Sequence, residues 1–295
     1  MVEGRVTRGT TGANRLRRVD RWITQLPVLR RTHDPFVVDL GYGASARTPL
    51  ELHHRLSLVR PDVEVLGLEI DPDRVRLASE QLDRWRSHVA AARALRSARA
   101  NRALRGSYGA GHVSFALGGF EVPAPGNRRA SVIRAFNVLR QYDEHEVARA
   151  WQLMVARLQP GGVLVEGTCS EVGRVASWVE VTAAGPQSLT ISLRLTDLEK
   201  PSIVAERLPK VLIHRNVPGE RVHELITALD RHWQFNAGLS VYAPSQRWIA
   251  TVTGLRADGW PVLGRPARWR LGEVTVAWDA VAPLPETGLR RMPRS

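Results

Sequence analysis

Residues 36–71 constrain the fold more than any other part of the sequence. A short apolar run at 36–40 is followed at once by Gly41 and Gly43, and a second apolar run ends at Glu69. Short apolar runs of this kind are typical of strands that are covered on both faces. Because glycine has no Cβ, the backbone between the runs can turn sharply and approach a ligand closely. The pattern predicts a strand, a tight turn, a helix and a second strand.

The helix between the two strands carries its own start signal. Thr48, Pro49 and Glu51 have the spacing of an N-cap, a first-turn proline and the acid of a capping box. Leu52 and Leu56 then recur at helical spacing. We therefore predict that the helix begins just after the glycine turn, with Thr48 as its N-cap.

The carboxylate at the end of the second strand indicates which kind of ligand the unit binds. Glu69 stands where a carboxylate can accept hydrogen bonds from both hydroxyls of a ribose. Gly41, Gly43 and Ala46 also fit the permissive dinucleotide pattern, with alanine in its third position. The unit therefore predicts an enzyme with a nucleoside cofactor and leaves a nicotinamide enzyme as an alternative.

The alternation of strands and helices continues along the chain. Three further apolar runs predict strands, at 113–117, 131–136 and 163–165. Asp143 and Glu146 predict the capped start of a helix, and residues 158–162 predict a tight turn into the strand that follows it. Such an alternation predicts a parallel sheet.

Five segments of this unit resemble a known family when they are taken in order. They are VVDLGYG, VLGLEIDPDRVRLA, HVSFALGGF, IRAFNVLRQY and LQPGGVLVEGT. Together they resemble the motifs of class I S-adenosylmethionine-dependent methyltransferases, over about residues 35 to 170. The resemblance implies an α/β fold, with a Rossmann-like open, mostly parallel sheet, helices on both faces and antiparallel edge strands. It also implies S-adenosyl-L-methionine as the cofactor and direct displacement of its methyl group by an acceptor.

The same resemblance assigns positions around the cofactor. Glu69 would hold the ribose, and Ile70 would pack on the adenine. The cofactor-binding positions are Asp39, Gly41, Tyr42, Gly43, Glu69, Ile70, Gly119, Phe120 and Asn137. The candidates on the acceptor side are Asn137, Arg140 and Tyr142. The family commonly has an acid where Gly119 stands and a third glycine where Ser45 stands, so this sequence departs from the pattern twice.

The sequence divides into four parts. We predict a basic helical extension at 1–34, the methyltransferase core at 35–175, a β-rich part at 176–282 and a disordered tail at 283–295. The β-rich part contains a predicted hairpin, with strands at 176–181 and 189–195, a helix at 222–233, and further strands in WIATVTGL and EVTVAWDAV. These strands would complete the sheet, and the excess length would cover the acceptor site or form a homodimer contact.

The net charge of +13 comes almost entirely from arginine. Arginines accompany a predicted helix face at 16–26 and recur through a helix-forming segment at 84–105, which looks inserted. They indicate either a phosphate-binding surface or a solvated surface that reflects a coding bias. We favour the solvated surface and a small-molecule acceptor, because FNVLRQY lacks the Asp/Asn-Pro-Pro-aromatic motif used on base amines. An RNA methyltransferase and a noncatalytic cofactor-fold protein are the alternatives.

Composition excludes several other classes. No run of about 18 apolar residues is present, and the N-terminus lacks a signal pattern, so we expect no membrane partner and a cytoplasmic protein. The single Cys169 cannot form an internal disulfide. Thr168-Cys169-Ser170 looks like the cysteine motif of RNA cytosine-5 methyltransferases, but their second, proline-cysteine motif is missing after the fourth strand. No spacing of histidine, cysteine or acid predicts a metal site.

Overall fold

The computed structural model describes residues 3–6, 12–94 and 112–284. Its strands are β1 (Phe36–Leu40), β2 (Glu64–Glu69), β3 (Val113–Leu117), β4 (Ala130–Phe136), β5 (Leu158–Cys169), β6 (Val175–Thr182), β7 (Gly185–Leu193), β8 (Val262–Leu263) and β9 (Glu273–Ala277). They form one sheet in the order β3-β2-β1-β4-β5-β6-β7-β9-β8.

Helices cover both faces of this sheet. They are α1 (Arg17–Ile23), α2 (Pro27–Arg31), α3 (Arg47–Ser57), α4 (Pro72–Ala94), α5 (Glu144–Val155), α6 (Lys210–Ile213), α7 (Arg221–Phe235), α8 (Pro244–Ala257) and α9 (Pro266–Trp269). One apolar core holds the inner faces of α1, α2 and α3 against the sheet. A larger core on the opposite face joins α5, α7 and α8 to the sheet.

Strands β1 to β5 are parallel, as the sequence predicts. β1 pairs with β2 on one side and with β4 on the other, so the strand order reverses beside β1. In open α/β sheets a ligand crevice forms at such a reversal, beyond the carboxyl ends of the strands. The predicted fold class is confirmed, and the topology places the crevice after β1 and β4.

The second half of the sheet is antiparallel. β5 runs directly into β6, and β6 into β7, so consecutive strands pair with each other. The predicted hairpin is therefore confirmed. β9 and the short β8 extend the same sheet beyond β7. The segments 35–175 and 176–282 thus contribute to one continuous sheet. The predicted tail lies outside the described residues from 285 onward, as does the arginine-rich segment from 95 onward.

Three local predictions are wrong. WIATVTGL is not a strand but lies inside α8, where Trp248, Thr251, Val252 and Leu255 are buried. Their spacing follows one face of a helix, and the core on that face outweighs the strand preference of the β-branched residues. The segment 158–162 is the start of β5 rather than a turn before it, and the pairing register shifts there.

The predicted cap of α3 is the third correction. The helix begins two residues earlier, at Arg47 with Ala46 in the N-cap position, and no side chain caps it. The Thr48 hydroxyl instead donates to Asp39 Oδ2 at 3.1 Å. Glu51 accepts the Asn14 backbone N–H at 3.0 Å. Both side chains are taken by distant partners, so neither is left for the helix end.

A buried ionic network crosses the centre of the parallel strands. Arg134 of β4 is fully buried, and its Nε and Nη2 donate to the two oxygens of Asp39 in β1 at 2.9 and 2.6 Å. Its Nη1 donates to Asp20 of α1, which is also fully buried. Asp20 in turn accepts from Arg55 of α3 at 2.6 Å. The network joins two strands and two helices, and its Arg134, Asp20 and Asp39 side chains are shielded from water.

Replacing Asp20 with alanine should destabilise the protein strongly. The change leaves a buried guanidinium with one of its two carboxylates, and breaking a buried ion pair costs about 3–5 kcal/mol. Asp62 is a suitable control, because its pair with Arg60 is exposed and such pairs contribute at most about 1 kcal/mol. Urea unfolding of the two alanine variants measures the difference, and equal losses would contradict the importance of the network.

A second buried acid lies on the other face of the sheet. Glu166 of β5 is 1% exposed, and neither carboxyl oxygen has a hydrogen bond of ordinary geometry among the described residues. Burial raises the pKa of Glu166 to about 8, although the nearby Trp151 indole slightly favours the charged form. Glu166 is therefore protonated in the folded protein at neutral pH.

The raised pKa of Glu166 predicts a loss of stability in alkali. Its neutral form contributes stability that is fully present below the ordinary pKa of a glutamate and is lost as the pH rises through about 8. Each unit of pKa separation corresponds to about 1.4 kcal/mol. Denaturant unfolding between pH 5 and pH 9 should show a smaller decline in Glu166→Gln than in the wild type. The exposed Glu171→Gln variant should decline like the wild type, and a parallel decline in all three proteins would refute the assignment.

Candidate functional site

A narrow groove lies at the carboxyl ends of the parallel strands, beside the reversal between β1 and β4 where the topology predicts a crevice. Gly41 begins the turn after β1 with a φ of +66°, and its N–H donates to Leu68 O at 2.8 Å. A Cβ at Gly41 would lie 2.6 Å from Val138 Cγ2. Both the conformation and the close approach require glycine here.

Glu69 forms the polar centre of this groove. Its carboxylate accepts the backbone N–H of Gly43 at Oε2 and that of Ile70 at Oε1, each at 2.9 Å. Arg74 lies 3.7 Å from Oε2. The residue is 1% exposed, so these contacts fix the carboxylate beside the glycine turn. Each carboxylate oxygen retains a lone pair for a further donor, such as a ribose hydroxyl.

The groove brings together six of the predicted site residues. They are Gly41, Glu69, Ile70, Gly119, Phe120 and Tyr142. The Phe120 and Tyr142 rings pack on each other with their centroids 5.2 Å apart. Val138, which the sequence did not single out, adds an apolar wall from the turn after β4. The structure therefore places residues that are separated by up to about a hundred positions at one edge of the sheet.

Two predicted cofactor residues point elsewhere. The Asp39 carboxylate faces away from the groove and is held by Arg134 and Thr48. Tyr42 is buried against Phe115, with the ring centroids 5.1 Å apart. Burial raises the pKa of Tyr42 above the ordinary tyrosine value, and the charge of Glu69 raises it further. Only the backbone at these two positions remains near the groove.

Asn137 connects the ends of β4 and β5. It has a φ of +59°, which is uncommon for a residue other than glycine. Its Oδ1 accepts the Cys169 N–H at 3.0 Å, and its Nδ2 donates to Cys169 Sγ at 3.4 Å. Cys169 is 1% exposed. Cys169 is thus a buried strand-end residue, as predicted, and that it is not a nucleophile stays a prediction.

A segment near the N-terminus lies across the groove. We call residues 3–5 the N-terminal strap. Phe120 N–H donates to Glu3 O at 2.9 Å, and Glu3 N–H donates to Glu121 Oε2 at 2.9 Å. The Arg5 N–H donates to the Tyr142 hydroxyl. The strap leaves a cavity of about 20 Å³ beneath it, room for about one water molecule.

The strap explains why glycine stands at position 119, where the family commonly has an acid. A Cβ at this position would lie 1.9 Å from Glu3 O, so any side chain here would collide with the strap backbone. Glu121 supplies an acid two residues later, and its Oε1 accepts the Gly119 N–H at 3.1 Å. The paired glycines and the following acid were visible in the sequence, but nothing in it identified residues 3–5 as their partner.

Other site chemistry is limited in the part of the chain that the structure describes. No group of three histidines, cysteines or acids within 3–6, 12–94 and 112–284 could hold a metal ion. His53, which its helical position would place at the surface, is 2% exposed, and burial lowers its pKa to about 4. Among the described helices, none combines the length and apolarity that crossing a bilayer requires.

Replacing Gly119 with alanine should release the strap. The added methyl group would overlap a backbone carbonyl that cannot move without breaking the Phe120 hydrogen bond. Hydrogen exchange at the Phe120 amide should accelerate at least tenfold, while the exchange of β1 and β4 amides stays unchanged. Gly238→Ala is the matched control, because a Cβ there meets nothing within 4 Å. Unchanged protection of Phe120 would show that the strap does not protect this amide.

The chain resembles several solved structures of methyltransferases. The sequence matches no protein-family model and no curated protein. Similar solved structures include the methyltransferase CcbJ from Streptomyces caelestis (18% identity, 62% of this chain and 66% of that chain, TM-score 0.33). They also include magnesium protoporphyrin IX methyltransferase from Synechocystis with bound SAH (15%, 52% and 54%, 0.33) and the N-methyltransferase NodS from Bradyrhizobium japonicum (18%, 51% and 66%, 0.32). The match spans less than two thirds of each of these chains. TM-scores this low carry no functional argument, so the function is inferred from the groove residues.

Proposed function

We propose that the protein is an S-adenosylmethionine-dependent methyltransferase that acts on a small-molecule acceptor. The observation that carries this proposal is the fixed carboxylate of Glu69 beside the Gly41–Gly43 turn, at the point where the strand order reverses. The ordered motifs of the sequence favour S-adenosylmethionine over a nicotinamide dinucleotide as the ligand of this unit.

The groove residues fit the parts of such a cofactor. Glu69 would accept the ribose hydroxyls, and the close approach allowed at Gly41 would admit the methionine part. Ile70 and Phe120 would contact the adenine from opposite sides of the groove. The sulfonium of the bound cofactor supplies an electrophilic methyl group. The protein would add alignment of the acceptor and exclusion of water, which lower the barrier without an obligatory general base.

The acceptor would lie beyond the turn after β4. Asn137 and Arg140 border that region, and Tyr142 lies between it and the groove. The antiparallel half of the sheet, within 176–282, stands on the same side as this turn and would supply a wall of the acceptor site. In this arrangement the ends of the parallel strands would bind the cofactor, and the segments within 176–282 would select the acceptor.

Binding of the cofactor requires the strap to leave its place. Glu3 and Gly4 occupy the space beside Ile70, Gly119 and Phe120, where the adenine would lie. The Phe120 N–H and the Tyr142 hydroxyl, which now bind the strap backbone, would become available to the ligand. The strap therefore acts as an internal competitor, and its hydrogen bonds lower the apparent affinity for the cofactor.

Calorimetric titration with S-adenosylhomocysteine tests the proposal. Binding in the micromolar range is expected. Glu69→Ala should weaken it about 10- to 150-fold, because a charge-assisted hydrogen bond contributes about 1.5–3 kcal/mol. Asp73→Ala is the control, since Asp73 lies nearby but its carboxylate is exposed and paired with Arg76. Binding of a nicotinamide dinucleotide in place of S-adenosylhomocysteine would refute the proposed cofactor.

The same titration on a chain that lacks residues 1–6 tests the role of the strap. Removing the internal competitor should raise the affinity for S-adenosylhomocysteine several-fold relative to the full chain. The truncated chain should keep the far-ultraviolet circular dichroism of the full chain, because the sheet begins at residue 36. Weaker binding after truncation would mean that the strap helps to hold the cofactor.

A further inference from the structure

Three arginines from distant parts of the sequence surround the ends of β4 and β5. They are Arg15, Arg140 and Arg207, and we call them the acceptor arginines. Each of them is half-buried. They stand beside Asn137 and Cys169, on the side of the groove where the proposed acceptor would lie.

Hydrogen bonds fix the position of each acceptor arginine. Arg15 donates through Nε to Ser170 O at 3.2 Å and through Nη2 to Cys169 O at 3.4 Å. Arg140 donates through Nη1 to Glu206 O at 3.1 Å. The next residue, Arg207, is anchored by its backbone, because its carbonyl accepts the hydroxyls of Thr168 and Ser177. These contacts bring three segments together at the ends of β4 and β5. The segments are the chain before α1, the turn after β4 and the 3-10 helix Pro201–Arg207.

Two of these positive charges lack a direct ion pair within the described part of the chain. Neither Arg140 nor Arg207 forms an ion pair with a carboxylate of residues 3–6, 12–94 or 112–284, and the Arg207 guanidinium has no hydrogen bond there. Burial lowers the pKa of Arg140, and the charges of Arg207 and Arg15 lower it further, while Cys169 and Glu206 offset only part of this. The fold thus holds like charges together at a cost that a bound anion would relieve.

We propose that Arg140 and Arg207 bind an anionic group of the acceptor, either a carboxylate or a phosphate monoester. The inference rests on the proposed function, because it takes the methyl group to be delivered from the neighbouring groove. Guanidinium groups bind both anions through paired N–H donors, so the shared chemistry is an oxyanion. The anion would hold the acceptor at one end while its nucleophilic atom reaches the methyl group at the other.

The geometry favours a small anion over a nucleic acid. The acceptor arginines are half-buried around the ends of two neighbouring strands, whereas a phosphate backbone is followed by a stripe of exposed basic residues. An RNA acceptor is therefore the competing outcome of the test below.

Binding of inorganic phosphate provides the first test. Phosphorus-31 NMR titrations of the full chain, saturated with S-adenosylhomocysteine, should show millimolar binding. Arg207→Gln should weaken it at least tenfold, and Arg140→Gln with Arg207→Gln should abolish it. Arg207→Gln should fold normally, because its guanidinium forms no hydrogen bond or ion pair with the described residues. Arg256→Gln is the matched control, since Arg256 is exposed on α8, and it should bind phosphate like the wild type.

Transfer of a labelled methyl group provides the second test. Acceptors are offered in pairs that share a scaffold, with one anionic and one neutral member: a carboxylic acid with its amide, and a phosphate monoester with its alcohol. The anionic member should be methylated, and the KM for it should rise at least tenfold in Arg207→Gln while the dissociation constant for S-adenosylhomocysteine stays the same. The two kinds of pair distinguish a carboxylate from a phosphate as the natural group.

The outcomes separate the two proposals. Binding of S-adenosylhomocysteine with unchanged phosphate affinity in the double variant would overturn the anion site and leave the proposed function standing. Methylation of the neutral members alone would overturn it as well, as would tight binding of a short RNA that the double variant loses. If S-adenosylhomocysteine fails to bind at all, the proposed function falls, and the acceptor assignment falls with it.

Discussion

The buried guanidinium of Arg134 is the interaction on which the arrangement of this fold depends. It sits between Asp39 of β1 and Asp20 of α1, so the middle of the parallel sheet and the first helix are joined by one fully desolvated charge. Such a network is favourable only when the geometry satisfies every partner. Here it holds α1 at the strand ends, and Arg15 at the start of that helix is thereby brought to Ser170 and Cys169.

The same network explains how far local sequence patterns could predict the fold. The parallel strands were predictable because their apolar runs are short, continuous and bounded by turns. The Thr48 cap was not, because Asp39 competes for its hydroxyl from nine residues away. Trp248 and Leu255 show a related limit: a run of β-branched residues fits a strand or a buried helix, and only the core around α8 decides between them.

Only part of the candidate site, likewise, could be identified from the sequence. Glu69 and Gly41 could be identified because the chemistry lies at fixed positions relative to strand ends, which a single sequence reveals. The strap and Arg207 could not, because each depends on contacts with residues far along the chain. Glu3 and Glu121 are separated by 118 positions, and no local pattern links them. Asp39 lies at the expected position, but its carboxylate accepts hydrogen bonds from Arg134 of β4 and does not face the groove.

The strap also bears on how the protein is made and handled. Its residues leave the ribosome before Phe120, Glu121 and Tyr142, which it binds and which follow more than a hundred residues later. The strap therefore has no partner during synthesis until the turn after β4 has emerged. Any sequence fused ahead of residue 3 would emerge directly beside the groove, so an affinity tag at this end changes the very surface that a binding assay measures.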